Sequence, residues 1–112
     1  MKLITSRDNP FFKELAKLTS SAKFRREQDK TLLDGAHLLA AYLDSGQVPQ
    51  HILFNAAALR DAEILALLGK LTQVPVTQLD DKLFAELSEL KTPTGILSLI
   101  QSIESDPIDF HF

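Results

Sequence analysis

The sequence predicts an α/β domain with a largely parallel sheet covered by helices on both faces. Three observations point there. Short apolar runs of strand length alternate with amphipathic stretches of about ten residues. Cap and turn residues separate them. The 112 residues, 45% of them hydrophobic, suffice for one core without metal or disulfide staples.

Asn9-Pro10 opens the first helix, with Asn9 as N-cap and Pro10 in the first turn. Phe11, Leu15 and Leu18 fall on one face, while Lys13 and Lys17 fall on the other. Ser20-Ser21 interrupts this helix, and Ala22–Gln28 forms a second, short and strongly basic one. Thr31-Leu32-Leu33 is a short buried strand that ends at Asp34-Gly35. The helix from Ala36 to Ser45 turns Leu38, Leu39, Tyr42 and Leu43 to one face and stops at Gly46.

His51–Phe54 is the second strand, followed by a helix from about Leu59 to Leu71 with Ile64, Leu67, Leu68 and Leu71 inward. Val74–Thr77 is the third strand, in which Pro75 marks a sheet edge or a strand start. Asp80 or Asp81 caps a helix burying Leu83, Phe84 and Leu87. Thr92-Pro93-Thr94-Gly95 makes a turn into Ile96–Ile103, the most apolar strand. Glu104–Phe112 lacks periodicity and reads as linker.

Charge is distributed unevenly. Residues 1–30 carry eight cations against four anions, and the remaining residues four cations against eleven anions. The net −3 thus hides an anion-facing end. This basic cluster is either a solvated face or a surface for RNA or another polyanion. Phe24, beside Arg25 and Arg26, is either a core anchor or a platform for an unpaired base.

Catalytic chemistry finds no support, and neither catalytic nor metal-binding residues are predicted. Cysteine is absent, and His37, His51 and His111 lie far apart without a nearby acidic ligand set. Four glycines form no phosphate-cradling loop, and capping explains Asp80 and Asp81. At Asp34-Gly35 the side chain of Asp34 caps the following helix; alternatively a ligand approaches that helix end beside His37. No apolar run is long enough for a membrane span and no secretory signal opens the chain, so a cytoplasmic protein is expected.

Ser6–Pro10, Lys13 with Leu15 and Leu18, Lys23, Arg25, Arg26 and Leu33-Asp34-Gly35 together resemble the opening of SpoU (TrmH-type) RNA 2′-O-ribose methyltransferases. Thr92–Leu97 is similar to that family's Thr-Pro-Gln-Gly-Ile strand entry, with Thr94 in place of Gln. Asp34 likewise stands where Glu is usual. The resemblance runs from about Ile4 to Ile103.

The resemblance implies the family's N-terminal substrate-binding domain. Its fold is that of kink-turn-binding ribosomal proteins: a three-layer α/β/α sandwich with a mixed four-stranded sheet, here preceded by the basic helical segment. Residues 1–104 would form the RNA-binding domain and 105–112 the start of a linker. RNA contacts carry over to Arg7, Asn9, Lys13, Lys23, Arg25 and Arg26.

The family's knotted catalytic domain, which binds S-adenosylmethionine, has no counterpart in this chain. The chain alone is therefore expected neither to bind that cofactor nor to methylate. The implied partner is structured RNA, ribosomal or transfer. Dimerisation would occur through the catalytic domain, leaving this domain monomeric. The alternatives are a stand-alone ribosome-associated or kink-turn-binding protein, a protein-docking module with an acidic surface, and a small enzyme.

Overall fold

The computed structural model describes residues 2–88 and 95–101. In chain order the elements are β1 (Lys2–Ile4), α1 (Pro10–Ser20), α2 (Ala22–Gln28), β2 (Lys30–Asp34), α3 (Ala36–Asp44) and β3 (His51–Phe54). A 3-10 turn (Ala56–Arg60), α4 (Ala62–Lys70), β4 (Val76–Leu79), α5 (Asp81–Leu87) and β5 (Ile96–Gln101) complete them.

The sheet runs β1-β4-β3-β5-β2. It has five strands where four were expected. The added one, β1, pairs parallel to β4 through Lys2, Leu3 and Ile4, opposite Thr77, Gln78 and Leu79. Three residues are too few to show a period of two, so β1 left no pattern to read. The sheet is also less parallel than the alternation of elements suggested. β1, β4 and β3 run parallel, but β5 is antiparallel to both of its neighbours, β3 and β2. The mixed sheet implied by the family resemblance is what forms.

Strand alternation divides the core into two layers. On one face, Ile4, Leu53, Leu79, Leu97 and Leu99 meet Phe12, Leu15 and Leu18 of α1 and Leu83, Phe84 and Leu87 of α5. On the other, Ile52, Phe54 and Ile96 meet Ala36 and Leu39 of α3, Ala58 of the 3-10 turn, and Ile64 and Leu67 of α4. The result is the α/β/α sandwich. The basic helices do not merely precede it, because α1 is part of one outer layer.

Several element ends depart from the sequence reading. Phe12, not Phe11, is the buried aromatic of α1; Phe11 packs at the margin, against the His51 ring at 4.8 Å. β2 is an edge strand and only half-buried. Leu38, expected inward, is 51% exposed. The Asp61 side chain accepts the backbone N–H groups of Glu63 and Ile64, so α4 starts there and leaves Leu59 in the exposed 3-10 turn. Pro75 precedes β4, an internal strand, and its carbonyl accepts the Ile52 N–H at 3.0 Å. It therefore marks a strand start.

Besides Gly35 at the start of α3, glycines at two further turns hold positive φ. Gly46 closes α3 with φ +89. Gly95 enters β5 with φ +93, and its carbonyl accepts the Asn55 N–H at 3.2 Å. A Cβ there would lie 2.9 Å from Asn55 Oδ1. Thr92, Pro93 and Thr94 of the expected turn, the strand beyond Gln101, and the 105–112 linker lie outside the described residues.

Candidate nucleic-acid interface

Asn9 Oδ1 accepts the backbone N–H groups of Phe11 at 2.9 Å and Phe12 at 3.1 Å, satisfying donors that the first helical turn leaves open. The side chain predicted as an RNA contact is therefore occupied as the N-cap. With α1 anchored by Phe12, Leu15 and Leu18, Lys13 and Lys17 project into solvent one turn apart.

Ser21 both ends α1 and begins α2, in extended backbone with φ −130 and ψ 109. Its N–H donates to Lys17 O at 3.0 Å, and its Oγ accepts the Phe24 N–H at 3.1 Å. One residue thus forms the whole elbow between two helices. Two side chains span it. Arg25 Nη1 donates to Leu18 O at 2.6 Å and reaches Thr19 O at 3.5 Å. From the other side, the Lys17 ammonium lies 4.6 Å from the centroid of the Phe24 ring. Phe24 is half-buried and packs against the core. It is an anchor, with the Lys17 ammonium set over its ring.

On α2, Lys23 and Arg26 stand three residues apart and are exposed. Among the described residues, no carboxylate lies within ion-pair distance of Lys13, Lys17, Lys23 or Arg26. Arg7 is placed differently. In the turn before α1, its Nε donates to Glu86 Oε2 at 3.1 Å and its Nη2 to Glu86 Oε1. Lys30 lies 3.8 Å from Glu14.

The six predicted positions therefore separate into three groups. Lys13, Lys23 and Arg26 are solvent-facing cations on the helix pair. Asn9 and Arg25 are spent on backbone caps. Arg7 is held by a carboxylate of α5. Lys17 belongs with the first group although it was not among the six; its i, i+4 spacing from Lys13 is the signal for it. Nothing local in sequence announces Glu86 as the partner of Arg7.

The strand-to-helix turn at Asp34-Gly35 is built differently from the expected cap. Gly35 is the N-cap of α3, with φ +110 and no side-chain hydrogen bond to the helix. Asp34 instead accepts the Ser88 Oγ–H at 2.7 Å, tying the end of β2 to the end of α5. His37 is exposed and lies 3.9 Å from Glu63. Among the described residues, no group of three His, Cys, Asp or Glu side chains converges to hold a metal, and no helix is long and apolar enough to cross a membrane.

Comparison with solved structures finds the same fold in several methyltransferases. The crystal structure of an RNA 2′-O ribose methyltransferase superposes with a TM-score of 0.78 at 24% identity, over 94% of this chain and 39% of that one. An rRNA methyltransferase from Sinorhizobium meliloti gives 0.69 at 20% identity, over 90% and 37%. The SpoU methyltransferase AviRb from Streptomyces viridochromogenes, in complex with AdoMet, gives 0.71 at 13% identity, over 93% and 37%.

This chain thus spans less than two fifths of the length of each. No curated protein sequence matches. The family model for the MRM3-like substrate binding domain matches residues 9–98, from the α1 cap into the internal strand β5. That match agrees with the resemblance read from the sequence, and the chain belongs to the MRM3-like substrate binding domain family.

Proposed function

We propose that the domain recognises structured RNA on behalf of a SpoU-type RNA 2′-O-ribose methyltransferase. The observation that carries this reading is the family match over residues 9–98, since the matched family is one of substrate-binding domains. The α1–α2 pair supplies a suitable surface. Lys13, Lys17, Lys23 and Arg26 are exposed, and phosphate contacts draw on such local cation density whatever the net charge of the chain. Shape and backbone contacts, more than base identity, supply much of the selection.

In this reading residues 1–104 are the recognition unit and 105–112 lead toward a catalytic domain of a longer chain. S-adenosylmethionine binds in that catalytic domain, as the AdoMet complex of the structurally similar AviRb suggests. Dimerisation belongs to the catalytic part too, and this domain alone is a monomer. Ribosomal RNA is the first substrate to test, because a structural neighbour is an rRNA methyltransferase.

Charge reversal of Lys23 and Arg26 together tests the proposal. Binding to a labelled ribosomal RNA transcript, followed by anisotropy from about 50 to about 200 mM salt, should weaken and lose salt dependence. Unchanged affinity and slope in K23E/R26E would sink the assignment.

A further inference from the structure

Arg25 sits in the most basic stretch of the chain, beside Arg26, and sequence pattern treats the two alike. The structure separates them. Arg26 points to solvent, whereas Arg25 is half-buried with its guanidinium turned back onto α1. Helix ends leave carbonyls without partners, and a cation there is also favoured by the helix dipole. Three other groups already serve the last turn of α1. Ser21 N–H and Ser20 Oγ reach Lys17 O, and Thr19 Oγ1 donates to Ala16 O. Leu18 O and Thr19 O lie beyond those contacts, and they are the two that Arg25 takes.

The same arginine is fixed at its backbone. Its N–H donates to Ser21 O at 3.1 Å, and its carbonyl accepts the Asp29 N–H that closes α2 in left-handed backbone with φ 56. Arg25 therefore joins the end of α1, the elbow residue and the end of α2. The elbow angle decides how the Lys13–Lys17 stripe of α1 lies relative to the Lys23–Arg26 stripe of α2. With a single hinge residue between the helices, no loop absorbs an error in that angle.

Resting on the RNA-binding reading above, we infer that Arg25 is a positioning residue for RNA recognition. It locks the α1–α2 elbow so that two cationic stripes present one arrangement to the phosphate backbone, and it is not itself a phosphate ligand. Preorganisation of this kind raises affinity by reducing the ordering left to do on binding. It does not add a released counterion, so its signature differs from that of a direct contact.

Salt dependence separates the two roles. The full chain is titrated into a labelled ribosomal RNA transcript over a range of salt, as wild type, R25A and R26A. R26A should lower the slope of log affinity against log salt by about one. R25A should lower affinity roughly tenfold at every salt and leave the slope unchanged, the scale of one lost charge-assisted hydrogen bond. In the free protein, R25A should also speed exchange of the backbone amides at positions 24 and 25, which R26A leaves alone.

A slope lowered by about one in R25A makes Arg25 a phosphate ligand and overturns this inference while the RNA reading stands. Unchanged affinity in R25A, or unchanged amide exchange, overturns it as well. A wild-type chain that binds no RNA at any salt overturns the proposed function, and this inference with it.

Discussion

Arg7, in the turn between β1 and α1, and Glu86, in the last turn of α5, grip each other in a two-point fork across 79 positions of sequence. The hydrogen bond to Glu86, reinforced by its charge, raises the Arg7 guanidinium above its ordinary value. The pair is solvent-exposed, so it contributes little to stability. Its effect is on availability: a phosphate that takes Arg7 must displace a carboxylate.

Removing that carboxylate should therefore help RNA binding. E86Q is expected to raise affinity roughly threefold, with the unfolding midpoint barely moved. R7A should cost more in the E86Q background than in wild type. A double-mutant cycle in RNA affinity measures the coupling. Additive effects would show that Arg7 does not approach the RNA.

Asn9 should behave as a cap and not as a ligand. N9A is expected to destabilise the fold by about 1 kcal/mol in urea unfolding. N9D, which keeps the capping oxygen, should restore most of that loss. Neither change should alter the salt slope of RNA binding. A reduced slope in N9A would return Asn9 to the interface.

Gly95 leaves no room for a methyl group. G95A meets Asn55 Oδ1 at 2.9 Å and the Ala58 backbone N at 3.2 Å, at a backbone φ that L-residues avoid. A loss of more than about 1 kcal/mol is expected in chemical denaturation. Adding N55A removes the nearer clash but not the φ cost, so the double variant should recover only part of the loss beyond its own lost cap. Full recovery would assign the cost to Asn55 alone.

Ser98 offers the opposite case. It is fully buried in the internal strand β5, and its Oγ has no hydrogen-bond partner among the described residues. An unpaired buried hydroxyl opposes folding, so S98A should be neutral or stabilise by up to about 1 kcal/mol. A clear loss of stability on thermal melting would mean that the hydroxyl makes a bond the structure does not show.

Periodicity made much of this fold legible. The Leu83-Phe84-Leu87 face, the Asn9 cap and the Ala22–Gln28 helix formed as the sequence indicated, and of the two candidates for the α5 cap Asp80 takes the position. Those features depend on neighbours within one or two turns. Phe11 and Phe12 show where local pattern stops. Either completes a stripe with Leu15 and Leu18, and only the position of the sheet decides that Phe12 goes inward.

The candidate interface follows the same rule. Exposed lysines at i, i+4 are visible in sequence; the partners of Arg7, Arg25 and Asp34 are not. Ser88 lies 54 positions from Asp34, and Glu86 is farther still from Arg7. Asp34 had every local qualification for a cap, yet a distant hydroxyl claims it and glycine takes the cap position.

The place of β5 between β3 and β2 has a consequence for how the chain is made. Among the described strands β2 has no other neighbour, and 61 residues lie between Asp34 and Ile96. At ribosomal rates of about 5–20 residues per second, β2 waits on the order of several seconds for its partner. Leu97 and Leu99, which complete the apolar floor beneath α1, arrive in the same strand. During synthesis the basic helices therefore emerge early but settle late, and a nascent chain fixes the arrangement of its exposed Lys13 and Lys17 only when β5 is threaded between β3 and β2.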